Sequence, residues 1–209
     1  MNKRWLQAVV AVSAVVALAG CSSEAYPEIP RFATSGGQTQ EELDARLATI
    51  PGLVFTDASG SEPNLKGATG YSFDLQLDPA YEIADLPGLI DFLVASAWSV
   101  RDGYMPNTTV EIGLDAGPLP SDKIDIVAAA EVAGWVPVGS QAHRFGDDAS
   151  SPEFDNGSSS VSVWLDTGSL SAERAEQRGA AANRTRLGDW PGDAVEPPAA
   201  AVVPRAAAQ

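Results

Sequence analysis

The sequence predicts an α+β fold: a single small domain over residues 38–170, built on a mostly antiparallel sheet with helices on one face. Three observations point to it. Tyr71, Phe73, Leu75 and Leu77 alternate with Ser72, Asp74, Gln76 and Asp78, and Val110, Ile112 and Leu114 alternate with Glu111, Gly113 and Asp115. A period of two with one apolar side is what a strand with one buried and one wetted face requires. Apolar residues at helical spacing precede and separate these strands, and about 130 residues suffice for one hydrophobic core.

The elements follow in order. Thr39-Gln40-Glu41-Glu42 matches a capping box, in which the Thr hydroxyl and the Glu carboxylate satisfy first-turn amides, and Leu43, Leu47 and Ile50 continue at helical spacing until Pro51-Gly52. Leu53-Val54-Phe55-Thr56 reads as a short strand, and residues 58–68 as a wide polar turn before the strand from Tyr71 to Leu77. Asp85 caps the next helix, with Pro87 in its first turn and Leu86, Leu89, Ile90, Leu93, Ala97 and Val100 on one side; this helix should be buried. After the strand at Val110, Ile112 and Leu114, Ser121 caps a helix carrying Ile124, Val127, Ala128 and Val132 and ending at Gly134. Trp135-Val136-Pro137-Val138 and residues 160–165 complete the set as two strands around a polar loop. The order αββαβαββ suggests a split βαβ of ferredoxin-like character.

The ends of the chain differ from the middle. Lys3 and Arg4 form a short positive region, residues 5–17 an apolar run of signal-peptide length, and Leu18-Ala19-Gly20 the small residues that a signal peptidase accepts before a cut. That run is too short for the roughly 20 residues of a spanning helix. Cys21, the single cysteine of 209 residues, follows at once, and one thiol closes no intramolecular disulfide. Leu18-Ala19-Gly20-Cys21 resembles the lipobox of bacterial lipoproteins. The resemblance covers residues 1 to about 23 and implies that residues 1–20 are removed and that Cys21 carries the lipid (diacylglyceryl, with palmitate-type acylation). The protein would then sit on the extracytoplasmic face of the cell membrane. Residues 21–37, polar with two early prolines, read as a tether that reaches up to about 50 Å at ~3.5 Å per residue.

Residues 171–209 are rich in Ala, Pro and Gly and read as a disordered tail, with a fraying helix over Ser171 to Asn183. Their five arginines, Arg174, Arg178, Arg184, Arg186 and Arg205, balance five acidic residues, whereas residues 38–170 carry most of the acidic excess behind the net charge of -15. Such a surface repels nucleic acid and anionic headgroups, so membrane attachment must come from the lipid and not from charge.

Little site chemistry is written in the sequence. His143 is the single histidine and no Gly-x-Ser-x-Gly elbow presents a serine to it. No His pair at i, i+4 and no glycine-rich phosphate loop is present. Asp147, Asp148 and Asp155 are oxygen donors of the kind calcium prefers, but their spacing is not that of an EF-hand, and Asn156-Gly157 more simply turns a hairpin. No metal, cofactor or catalytic residue is assigned. On the last strand Trp164 should face away from Val161, Val163 and Leu165 and is a candidate partner contact unless a loop or the tail covers it; Trp190, in a polar segment of the tail, could dock on a partner or fold back on the domain. These features describe a lipid-anchored envelope protein acting as a non-catalytic binding or accessory module for an envelope protein or polymer. A small-ligand or calcium-binding lipoprotein is the alternative, and an enzyme the weakest of the three.

Cys21→Ser removes the one atom that can accept the lipid. The expected outcome is soluble or unprocessed protein, read by membrane fractionation and by the mass of the N-terminal peptide; wild-type membrane recovery with normal removal of residues 1–20 contradicts it.

Overall fold

A computed structural model of the chain describes residues 26–117, 124–139, 158–165 and 172–206. Among them the elements run α1 (Gln40–Leu47), β1 (Leu53–Gly60), β2 (Gly70–Leu77), β3 (Tyr81–Ile83), α2 (Leu86–Ser99), β4 (Thr109–Asp115), α3 (Ile126–Val132), β5 (Ser158–Trp164), α4 (Ala172–Gln177), α5 (Ala180–Leu187) and β6 (Val202–Pro204). The fold is α+β and its main sheet is mostly antiparallel. That sheet has the order β1-β2-β4-β5, with β1 antiparallel to β2, β2 parallel to β4, and β4 antiparallel to β5.

The alternating strands form as their pattern requires. Tyr71, Phe73, Leu75 and Leu77 of β2, Val110, Ile112 and Leu114 of β4, and Val161 and Val163 of β5 are all buried. They meet Leu43 and Leu47 of α1, the apolar side of α2, and Ile126, Val127 and Ala130 of α3 in one core. The capping box of α1 is complete: Glu42 N donates to Thr39 Oγ1, and Thr39 N donates to the Glu42 carboxylate, which that bond holds below the usual range. Tyr71 reaches through the core to donate to Gln40 Oε1 at 2.8 Å, and burial pushes its phenol well above the ordinary tyrosine range.

Several expectations need correction. The unit β2-α2-β4 places its two strands side by side, Phe73 opposite Ile112, so no third strand splits it and the ferredoxin-like arrangement does not form. Residues 135–138 are not a strand. Trp135 N donates to Ala130 O and Gly134 N to Glu131 O, the paired bonds of a glycine-terminated helix end, so these amides cap α3 and do not pair with a sheet. The cap of α3 is Asp125, whose carboxylate accepts Ala128 N at 2.9 Å; Ser121 lies outside the described residues.

The tether is shorter than its composition implies. Ile29 is buried, Met105 N donates to Pro30 O, Phe32 N to Gly103 O, and Ala33 N to Arg101 O. The chain is therefore bonded to the domain from about residue 26 onward. Gly37 shows how close the approach is: with φ at +57°, a Cβ there would lie 2.1 Å from Ser99 O.

Residues 172–206 are folded onto the domain where composition suggests disorder. Two short helices, α4 and α5, pack on each other, and α5 lies against β5 and bonds through Arg186 to Ala133 O after α3. The following extended stretch crosses the helical layer and ends as β6, paired antiparallel with β3 from Tyr81–Pro204 to Ile83–Val202. Trp98 Nε1 donates to Asp189 O, Gly192 N to Trp98 O, and Arg46 pairs with Glu196. Low complexity did not prevent ordering because this segment covers surface that would otherwise be apolar.

Asn183 fixes α5 in place. It is 2% exposed, and its Nδ2 donates to Trp135 O at 2.9 Å and Trp164 O at 3.0 Å. Asn183→Ala leaves both carbonyls without that donor and should cost about 2 kcal/mol in denaturant unfolding, with faster amide exchange across residues 180–206. Unchanged exchange there contradicts the docking described.

Candidate binding face

The side of the sheet turned away from the core is polar. β2 places Ser72, Asp74 and Gln76 on it, β4 places Glu111, Gly113 and Asp115, and β5 places Ser160, Ser162 and Trp164. The alternation of β2 and β4 alone dictates this. Asp74, Gln76 and Glu111 are exposed, so none of the described helices lies across them.

β1 joins this face through an irregularity. Leu53 and Phe55 point to the core, so an unbroken strand would send Asp57 inward as well. A bulge between Phe55 and Asp57 inserts one residue, which turns Asp57 outward opposite Asp74 and turns Ala58 inward opposite Phe73. Phe55 then meets Phe73 edge to face at 6.4 Å between ring centres. Outside, Ser59 Oγ donates to Asp57 Oδ1 at 2.9 Å.

The registers form rows across the sheet. Ser59, Ser72, Glu111 and Ser162 lie side by side, and Asp57, Asp74, Gly113 and Ser160 form the next row. Gly113 leaves a gap that the Asp74 carboxylate leans over, since a Cβ on Gly113 would lie 2.6 Å from Asp74 Oδ1. The result is a shallow groove of about 180 Å³, lined by Ser72, Asp74, Glu111, Gly113, Ser160 and Ser162. Asp57 stands opposite Asp74 in register, but the two carboxylates diverge, Asp74 over Gly113 and Asp57 toward Ser59. The groove offers carboxylate acceptors and hydroxyls that donate or accept. Among the described residues no group of three or more His, Cys, Asp or Glu side chains is placed to hold a metal ion.

Trp164 closes the β5 end of this face and is half-buried, because the Arg178 guanidinium lies 3.8 Å from its ring centre. Trp190 is also half-buried and packs on the core beside the Asp189–Trp98 bond. The C-terminal segment thus covers Trp164 through Arg178, and its own Trp190 folds back on the domain. The same device recurs: Arg184 lies 4.1 Å over Trp98 and Arg186 lies 3.9 Å over Trp135. Asp91 ties the last pair together, accepting from Trp135 Nε1 at 3.0 Å and from Arg186 Nη2. Burial lowers the pKa of both Arg178 and Arg184, yet a guanidinium stays charged throughout the working pH range.

Cys21, Leu18, Ala19 and Gly20, the calcium candidates Asp147, Asp148 and Asp155, and His143 lie outside the described residues. Sequence reasoning placed Asp74, Glu111 and Asp115 on the wet side of their strands. It did not bring them together, because that needs the register of β2 beside β4, and it missed Asp57, whose orientation depends on the bulge. No protein-family model matches the chain, and no curated protein or solved structure matches it significantly.

Arg184→Ala uncovers the Trp98 ring. The expected result is a loss of about 1–2 kcal/mol in denaturant unfolding together with a red shift of tryptophan emission. Full stability and unshifted emission contradict a packing role for this arginine.

Proposed function

We propose that this chain is a lipid-anchored envelope protein that serves as a non-catalytic binding module. Cys21 holds it on the extracytoplasmic side of the membrane, and the polar sheet face receives an envelope protein or polymer that presents cationic or hydrogen-bond-donating groups. The observation that carries the reading is the set of carboxylates, Asp57, Asp74 and Glu111, that the sheet presents with serine hydroxyls on a face none of the described helices covers. A face of carboxylate acceptors and hydroxyls suits a partner that brings positive charge or hydrogen-bond donors. The signal-peptide and lipobox residues support the location, and the net charge of -15 argues against nucleic acid.

The small-ligand alternative has less support. The groove of about 180 Å³ is open and below the roughly 300 Å³ at which pockets enclose a small molecule. For the same reason a carboxylate pair here would not surround a glycosidic bond, which counts against hydrolysis.

In-cell crosslinking of the full chain, followed by detergent purification and mass spectrometry, tests the reading against the Asp74→Asn, Glu111→Gln double variant. A specific partner should be enriched with the wild type and recovered about tenfold less with the variant, as loss of charge-assisted hydrogen bonds implies. Equal recovery from both proteins removes the sheet face from the interface.

A further inference from the structure

The chain enters the domain beside a leucine that none of the described residues covers. Ile29 N donates to Tyr26 O at 3.1 Å in the first described turn, and the ring of Tyr26 and the side chain of Ile29 pack against the turn between β1 and β2. A Cβ on Gly67 of that turn would lie 3.1 Å from Tyr26 Cδ1 and 3.7 Å from Ile29 Cδ1. Two residues earlier Leu65 is 99% exposed. Two Cα steps span no more than about 7.6 Å, so this side chain leaves the surface close to where the chain arrives.

The turn that carries Leu65 is rigid. Asn64 Oδ1 accepts Lys66 N at 2.8 Å and Ala68 N at 3.1 Å, Asn64 N donates to Ala68 O, and Gly67 N donates to Asn64 O. Asn107 ties the turn to the start of β4, its Nδ2 donating to Gly67 O and its Oδ1 accepting Thr69 N. Leu65 therefore cannot fold back into the core. Phe32, 53% exposed, is linked to the same end: Arg31 lies 4.3 Å over its ring and pairs with Glu62 at 3.9 Å. The local charges nearly balance, Arg31 and Lys66 against Glu24, Glu28 and Glu62, in a chain whose net charge is -15. A zwitterionic lipid surface does not repel this end of the domain.

Tether length decides the occupant. If Cys21 carries the lipid, residues 21–25 alone separate it from Tyr26, and they span at most about 17 Å. The expected tether of about 50 Å would have left the domain free of the surface; this one does not. We propose that the Tyr26 end of the domain rests on the lipid bilayer, with Leu65 inserted among the headgroups and Phe32 and Lys66 beside it. The proposal rests on the reading of Cys21 as the acylated N-terminus. One exposed leucine would not hold a free domain on a membrane, but a short covalent leash keeps it at high local concentration there.

The test uses the full chain, expressed in a bacterium that processes lipoproteins and reconstituted into phosphatidylcholine vesicles. An environment-sensitive fluorophore is attached at Leu65→Cys or, as control, at Val54→Cys. Val54 is 57% exposed and stands near the far end of β1, about 20 Å along the strand from Gly60. Acylated Cys21 has no free thiol, so each variant takes one label, and the mass of the N-terminal peptide reports acylation separately. With Cys21 acylated, the label at 65 should shift to the blue, brighten severalfold and be quenched by lipid-borne nitroxides, while the label at 54 does none of these. An acylated protein whose label at 65 is as wet as at 54 overturns the docking and leaves the anchor standing. An unmodified Cys21 overturns both.

Discussion

Helix α2 turns only a narrow edge, at Gly88, Asp91 and Ala95, toward water. Leu86–Ser99 carries a single charged residue, Asp91, and Leu89, Ile90, Phe92, Leu93, Val94, Ala97 and Trp98 are all buried. A helix this apolar must be covered on more than the one side a sheet can reach. The sheet covers one side, through Phe73, Ile112 and their neighbours. Something else must cover the other, and in this chain it is the C-terminal segment, which crosses Trp98 and returns to pair with β3. Burying Trp98 and Trp135 is a large contribution, since truncating such residues in a core costs about 3–5 kcal/mol.

The contacts that hold this cover suit their positions. Three arginines of a charge-balanced segment, Arg178, Arg184 and Arg186, lie over the rings of three tryptophans of an acidic domain. A planar guanidinium stacks on an indole while its edge stays available for hydrogen bonds, which an ammonium does less well. Arg186 uses that edge fully, stacking on Trp135 while donating to Ala133 O and to Asp91. The surrounding negative charge favours the same arrangement, so electrostatics and burial act together.

With the helical side covered, the open surface of the main sheet is its polar face. Its composition follows from the strict alternation of β2 and β4, which was readable before any coordinates. Its carboxylate row was not, because a row needs neighbours. Asp57 joins it only through the bulge after Phe55, and no local pattern announced an inserted residue there. The N-terminal segment taught a similar lesson: polar residues and prolines read as a free tether, yet Ile29 and the backbone bonds of Pro30, Phe32 and Ala33 tie it down.

What the sequence determined by itself was local. Period-two alternation placed β2 and β4, the Thr39–Glu42 box began α1, and Asp85 with Pro87 began α2. Each of these depends on residues a few positions apart, so a short window contains the cause. What only the tertiary structure decided was which distant segments met. Residues 135–138 looked like a strand but cap a helix, residues 172–206 looked unstructured but complete the core, and Leu65 acquired meaning from its distance to Tyr26. A low-complexity segment orders when the surface it covers gains more from burial than the segment loses in entropy, and that surface is assembled from residues far away in the chain.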